Sequence, residues 1–281
     1  TGCRCRVGNA APTRLPNAPN GDAAYWLGQA GFWIYLGGTR ILIDPYLSDS
    51  LAEKYVGTRF PHTRMMDIPI RPKDLPRPDI VLITHAHTDH MDPVTLAELS
   101  ARHPNLTYVV PAAETPLARE RLGDTAQLRS VVSGDSVNIG GVSITVFPSA
   151  HEDRKRDVLE RDHYLGYGIT AGDTRLYHSG DTVPFAALTH LLKDFAPDIA
   201  FLPINGRDEQ RARHGVPGNM TIQEAIALCV DCKIPRLIPH HFGLFDFNTA
   251  SAAELELAEN HGGPPAIKLP SPLARISLSS P

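Results

Sequence analysis

The chain is poor in cysteine, has no long apolar run and carries no surplus of basic residues, and each shortage removes a class of function. Four cysteines in 281 residues, at Cys3, Cys5, Cys229 and Cys232, are too few and too clustered for a disulfide framework. Cys229 and Cys232 stand three apart in a stretch with helical spacing. They suit a redox or metal pair, or more simply two small core-facing side chains. No segment of about 18 apolar residues occurs, so no helix of this chain is expected to span a membrane. A formal charge of -4 gives no basic footprint for a phosphate backbone, which disfavours nucleic acid as a partner. A Gly-x-Ser-x-Gly elbow and a P-loop are also missing, so covalent serine hydrolysis and nucleotide triphosphatase chemistry lack motif support.

What is present, 42% apolar and 21% charged residues, suffices for a large buried core. The expected partner is a small molecule, with a homo-oligomer left open. Residues 1–22, rich in Pro, Asn, Gly and Arg, read as an irregular lead-in, and residues 23–281 as a single domain. A cytoplasmic location is the default. Thr1-Gly2-Cys3 resembles the tail of a bacterial lipoprotein signal, which would instead imply a lipid-anchored periplasmic form.

Strand-like runs fall at Tyr25 to Leu27, Phe32 to Leu36 and Arg40 to Ile43, the last two joined as a hairpin across Gly37-Gly38. Others follow at Ile80 to Ile83, Tyr108 to Val110, Val142 to Phe147, Tyr167 to Thr170, Leu176 to His178, Ile199 to Leu202 and Leu237 to Ile238. Helical patterns interleave at Pro93 to Arg102, Thr115 to Leu122, Pro184 to Leu192, Thr221 to Cys232 and Ala250 to Glu259. This alternation predicts a layered α/β domain. The Pro-rich stretch from Pro61 to Pro78 predicts a long surface loop.

The informative segment runs from Asp79 to Asp92, where an apolar strand enters Thr-His-Ala-His-Thr-Asp-His. If the chain stays extended, His85, His87 and Asp89 project to one face, and His90 joins them at the turn into the helix at Pro93. Three imidazoles and a carboxylate within six residues make an N/O donor set suited to Zn²⁺, Mn²⁺ or Fe²⁺. Further donors stand where other predicted strands stop: His151, Asp181 and the pair His240-His241. Strand ends are where open α/β sheets place their ligands.

His85-x-His87-x-Asp89-His90, then His151, Asp181 and a late His, resemble the motif series of the metallo-β-lactamase fold superfamily. Within it, Tyr25-Trp-Leu-Gly-Gln-Ala-Gly-Phe-Trp33, Ile43-Asp-Pro, Leu176-Tyr-His-Ser-Gly-Asp181, Met220-Thr and Ile238-Pro-His-His241 look most like the L-ascorbate-6-phosphate lactonase group. Arg59-Phe60, Asp79 to Asp92 and Leu202-Pro-Ile are similar to the N-acyl phosphatidylethanolamine phospholipase D group. The resemblance implies a four-layered αβ/βα sandwich with two divalent transition metals at one edge of the sheets, zinc first among them and manganese or iron as alternatives. His85, His87 and His151 would hold one metal and Asp89, His90 and His241 the other, with Asp181 bridging. It also implies that Asp44 lies behind the ligands and orients one of them.

The chemistry implied is a hydrolase in which a metal-bridging hydroxide opens a small, anionic or neutral, lactone or related cyclic ester or amide, with Asp89 and Asp181 as catalytic groups. A phosphodiesterase and a non-catalytic metal-binding module are the alternatives. For an anionic substrate, Arg207, Arg211 and Arg213 in the loop Asn205 to His214 are candidate anion contacts, Arg154-Lys155-Arg156 could grip the same kind of group, and His163 and Tyr164 are candidate pocket residues.

Overall fold

The computed structural model describes residues 14–279; Cys3, Cys5 and the Thr1-Gly2-Cys3 motif lie outside them. The strands are β1 Ala23–Gly28, β2 Gly31–Leu36, β3 Thr39–Ile43, β4 Ile80–Leu82, β5 Thr107–Pro111, β6 Gln127–Val131, β7 Ser136–Ile139, β8 Val142–Pro148, β9 Leu165–Ala171, β10 Thr174–His178, β11 Ile199–Pro203, β12 Arg236–His240, β13 Ala266–Ile267 and β14 Arg275–Ser277. The helices are α1 Ser50–Lys54, α2 Pro93–Arg102, α3 Thr115–Leu122, α4 Ala186–Phe195, α5 Glu209–Ala212, α6 Ile222–Cys232 and α7 Ala252–Glu259. Among the described residues no helix is long and apolar enough to cross a membrane.

Two seven-stranded sheets result, ordered β14-β1-β2-β3-β4-β5-β6 and β13-β12-β11-β10-β9-β8-β7. Each is half antiparallel and half parallel: β3 to β6 run parallel in the first sheet and β10 to β13 in the second. The β2–β3 hairpin turns through Gly37 and Gly38, both at positive φ (55° and 79°), a conformation that favours glycine over side-chain-bearing residues.

Along β1, Ala24 and Trp26 face the core shared by the two sheets, whereas Ala23, Tyr25 and Leu27 join a second core under α2 and α3. Both faces of the strand are therefore buried, which explains why it reads as a continuous apolar run rather than an alternating one. Leu188 and Leu192 of α4, with Ile222, Ala225, Leu228, Cys229 and Cys232 of α6, cover the other sheet and complete a four-layered αβ/βα sandwich. Burial raises the Cys229 thiol to about 12 and leaves it a core-filling side chain.

Two helices are capped as their sequences demand. Asp92 accepts from the Val94 and Thr95 amides ahead of Pro93 at the start of α2, and Thr221 with Glu224 forms a capping box on α6. Several elements are absent from the sequence reading. β6 and β7 lie at sheet edges with largely exposed polar side chains, β13 and β14 are two and three residues long, and α1 and α5 are single turns.

Candidate metal centre

The chain leaving β4 does not stay extended. The amides of His90 and Met91 both donate to the His87 carbonyl, at 3.0 and 2.8 Å, so one helical turn replaces the expected extended face. The turn delivers Asp92 to its capping position on α2 and still points the polar side chains inward. Three donor sets form: His85, His87 and His151; His85, His90 and Asp181; and Asp89, His90 and His241. Within each set the donor atoms lie within 4.8 Å of one another.

The imidazoles are held from behind. Asp44, at the end of β3 with φ 40°, accepts from the Thr84 amide at 2.8 Å, from the Thr84 hydroxyl at 2.5 Å and from His90 Nδ1 at 2.7 Å. The Thr84 oxygen lies 3.0 Å from His85 Nδ1 and accepts from it, and His151 Nδ1 donates to the Gly218 carbonyl at 3.0 Å. With Nδ1 occupied as a donor, each ring aims Nε2 at the centre, the nitrogen whose lone pair a bound metal would use.

His90 Nε2 and Asp181 Oδ1 are buried and have no hydrogen-bond partner, although they lie 3.3 Å apart. Orphaned polar atoms this deep are costly unless something binds them. Burial would raise the Asp181 carboxyl, yet His241 and His90 hold it well below the usual range, and Asp89 is depressed in the same way by those two imidazoles. Burial pushes His85 well down and His151 to about 4, which leaves both neutral. Burial also acts to lower His90 and His241, but the Asp181 and Asp89 carboxylates outweigh it, raising His90 well above its ordinary value and His241 to about 9. Protons thus take up the site's negative charge where cations would, and the donor set fits divalent metal ions.

His241 lies on β12's exit with Nε2 3.1 Å from Asp181 Oδ2 and 3.4 Å from Asp89 Oδ2. His240 turns the other way, its ring stacked on His178 at 4.8 Å. Gln29 belongs to the site but was not singled out from the sequence, although it sits inside the quoted Tyr25–Trp33 motif. It is fully buried in the β1–β2 turn at φ 50°, its amide donates to Asp89 Oδ2 at 2.7 Å, and its carbonyl accepts from the His241 amide at 3.0 Å. Gln29→Ala is expected to weaken metal binding by about tenfold or more, the usual cost of removing a group that orients a ligand. Chelator competition measures this, and an unchanged affinity would show that Asp89 needs no such support.

The centre opens into a cavity of about 600 Å³. None of Arg207, Arg211, Arg213 and His163, the expected substrate contacts, lines it. Arg207 pairs with Glu224 of α6, Arg211 with Asp208 and the Asn248 side chain, Arg213 with Glu209, and His163 with Glu114. Arg154 and Arg156 likewise grip buried Asp162 rather than an external anion. The arginines of the cavity wall are Arg59 and Arg121.

Asp162 ties down the loop that carries His151. Burial raises its carboxyl, but bonds from Arg154 and Ser133 outweigh this and hold it below the ordinary value. Asp162→Asn is expected to destabilise the fold by about 1–2 kcal/mol at neutral pH. A depressed folded value means the contribution is present above the unfolded value near 3.9 and is lost as pH falls through the lower folded one. Thermal melts at pH 7 and in strong acid check this; a difference in Tm as large in acid as at pH 7 would rule out the charge as its source.

The model of the beta-lactamase superfamily domain matches residues 39–242. A UPF0173 metal-dependent hydrolase of Koribacter versatilis is 26% identical over 236 residues, 82% of this chain and 88% of its own length. One from Methanosarcina mazei is 28% identical over 225 residues, 79% of this chain and 83% of its own. Among solved structures, isothiocyanate hydrolase from Delia radicum gut bacteria superposes with a TM-score of 0.74 at 21% identity, covering 92% of this chain and 99% of that one. With the family model spanning most of the chain, the protein belongs to the beta-lactamase superfamily.

Proposed function

We propose that the protein is a metal-dependent hydrolase acting on a small cyclic ester or amide, a lactone first among them. The observation that carries this reading is the convergence of His85, His87, Asp89, His90, His151, Asp181 and His241, five of which, all but His85 and His90, line a cavity of small-molecule size. Support comes from the relatives, which are named metal-dependent hydrolases, and from the motif likeness to lactonases. His85, His87 and His151 would hold one ion and Asp89, His90 and His241 a second, with Asp181 between them. Divalent ions there would supply Lewis acidity, lowering the pKa of water and stabilising negative charge on the substrate oxygen.

The chain's own residues do the positioning. Asp44 and Thr84 fix the rings of His90 and His85, the Gly218 carbonyl fixes His151, and Gln29 fixes Asp89. Asp89, partly exposed at the cavity wall, is the carboxylate placed to pass a proton to a leaving group. The test is turnover by zinc- or manganese-loaded protein on a panel of lactones, phosphodiesters and β-lactams, with elemental analysis of the same preparation. Lactone opening is expected. Turnover confined to phosphodiesters would favour the phospholipase-like alternative, and no turnover of any member at full metal content would favour a binding module.

A further inference from the structure

We propose that the cavity beside the metal groups is a binding site for an anion carried on a planar apolar body, such as an aryl-substituted carboxylate, with Arg121 as the partner of the anion. This rests on the reading above that the cavity is the substrate's.

The charges of the wall divide by sign. Its carboxylates, Asp89 and Asp181, belong to the metal cluster, whereas its remaining formally charged side chains, Lys54, Arg59 and Arg121, are all positive. Arg121 differs from the other two. It comes from the last turn of α3, is half-buried, and donates from Nη1 to the carbonyls of Ala86 and Met91 at 2.8 and 2.7 Å. Both carbonyls flank the ligand-bearing turn, so the guanidinium is fixed close to the metal groups. Carbonyls accept hydrogen bonds but carry no net charge, and among the described residues no carboxylate lies within 4 Å of Arg121. A held, partly desolvated guanidinium that Glu114, Glu120 and Asp92 influence only without contact has N–H groups left for an incoming carboxylate or phosphate. Arg59, exposed and 5.9 Å over the Phe60 ring, is open to screening and contributes mainly to approach.

Another part of the lining is aromatic. Tyr55, Phe60, His62 and Phe245 line it, with Phe60 stacked on Phe247 at 4.6 Å and His62 edge-on to Phe245 at 5.0 Å. Two distant segments are thereby locked into one face, with His62 held at φ 52°. Such a face takes planar apolar groups by stacking and by displacing water. An anion on Arg121 and a ring on this face would share the cavity that Asp89, His151, Asp181 and His241 also line.

The probes are 4-phenylbutyrate and its neutral amide, titrated calorimetrically into zinc-loaded protein without any turnover. The acid is expected to bind about ten- to a hundredfold more tightly than the amide, the range of one charge-assisted hydrogen bond. Arg121→Gln, which keeps an amide for the two carbonyls, is expected to abolish that preference at unchanged metal content, and Phe60→Ala to weaken both probes alike. Chelated wild-type protein is expected to retain the preference, a comparison that does not depend on the variant folding. Equal binding of acid and amide to wild type, binding of neither, survival of the preference in R121Q, or its loss on chelation would each overturn the proposal, the last two because the anion would then sit elsewhere. If the acid preference behaves as expected while no panel substrate turns over, the hydrolase reading fails alone. If turnover is found but R121Q treats anionic and neutral compounds as wild type does, this proposal fails alone.

Discussion

Asp181→Asn is expected to lower kcat/KM on any substrate the enzyme turns over by at least about a thousandfold, equivalent to roughly 4 kcal/mol of transition-state stabilisation. The two Asp181 oxygens face three imidazoles carried by three different loops: His90 Nε2 at 3.3 Å, His241 Nε2 at 3.1 Å and His151 Nε2 at 3.5 Å. If two cations bind as proposed, a carboxylate with that reach would lie between them, and they would need its charge more than its volume. Asparagine keeps the volume and removes the charge, so the fold is expected to survive and circular dichroism to remain that of wild type. Kinetics on the purified variant decide the matter: turnover within tenfold of wild type would take Asp181 out of the ligand set.

The second large effect concerns metal content. Wild-type protein is expected to carry close to two transition-metal ions per chain, and His85→Ala combined with His87→Ala to carry almost none. These two rings belong to one donor set with His151 and lie 3.0 Å apart, Nε2 to Nδ1. His85 also enters the set that contains Asp181, so its loss damages both positions. Elemental analysis after gel filtration measures the outcome. Metal retained in the double variant at the wild-type ratio would mean that the ions sit elsewhere.

Much of this centre could be read before any coordinates because the strands that deliver it are buried on both faces. β4 is three fully buried aliphatic residues, and such a run ending abruptly in His and Asp has few packing explanations. The β2–β3 hairpin was legible because Gly37-Gly38 names its turn. The intramolecular pairing of Arg207, Arg211 and Arg213 is harder to read. Arg207 and Arg211 find Glu224 and Asn248 far along the chain, whereas Arg211 also meets Asp208 and Arg213 meets Glu209 within four residues; an acid at that spacing does not by itself tell an arginine that binds its own protein from one left for a ligand. Arg121 was overlooked on the same grounds, since its role depends on the carbonyls of Ala86 and Met91. Sequence alone does not separate His240 from His241, because their orientations depend on the end of β12: His240 faces His178, and the backbone reverses to φ 59° at His241, which turns toward Asp181. Edge strands such as β6 stayed hidden because a strand with one wet face and one paired side needs little apolar sequence.

The donor groups do not come from one sheet. His85, His87, Asp89 and His90 follow β4 of the first sheet, whereas His151, Asp181 and His241 follow β8, β10 and β12 of the second. Ions held between them would act as a reversible rivet across the seam, with a strength set by free metal concentration rather than by the sequence. At a free concentration a thousandfold above the dissociation constant, binding to the folded state alone adds about 4 kcal/mol to its stability, comparable to a disulfide. With metal bound, a chain whose described cysteines, Cys229 and Cys232, are both buried and unpaired would have a means of locking its halves together that needs no oxidising surroundings and that a chelator can undo.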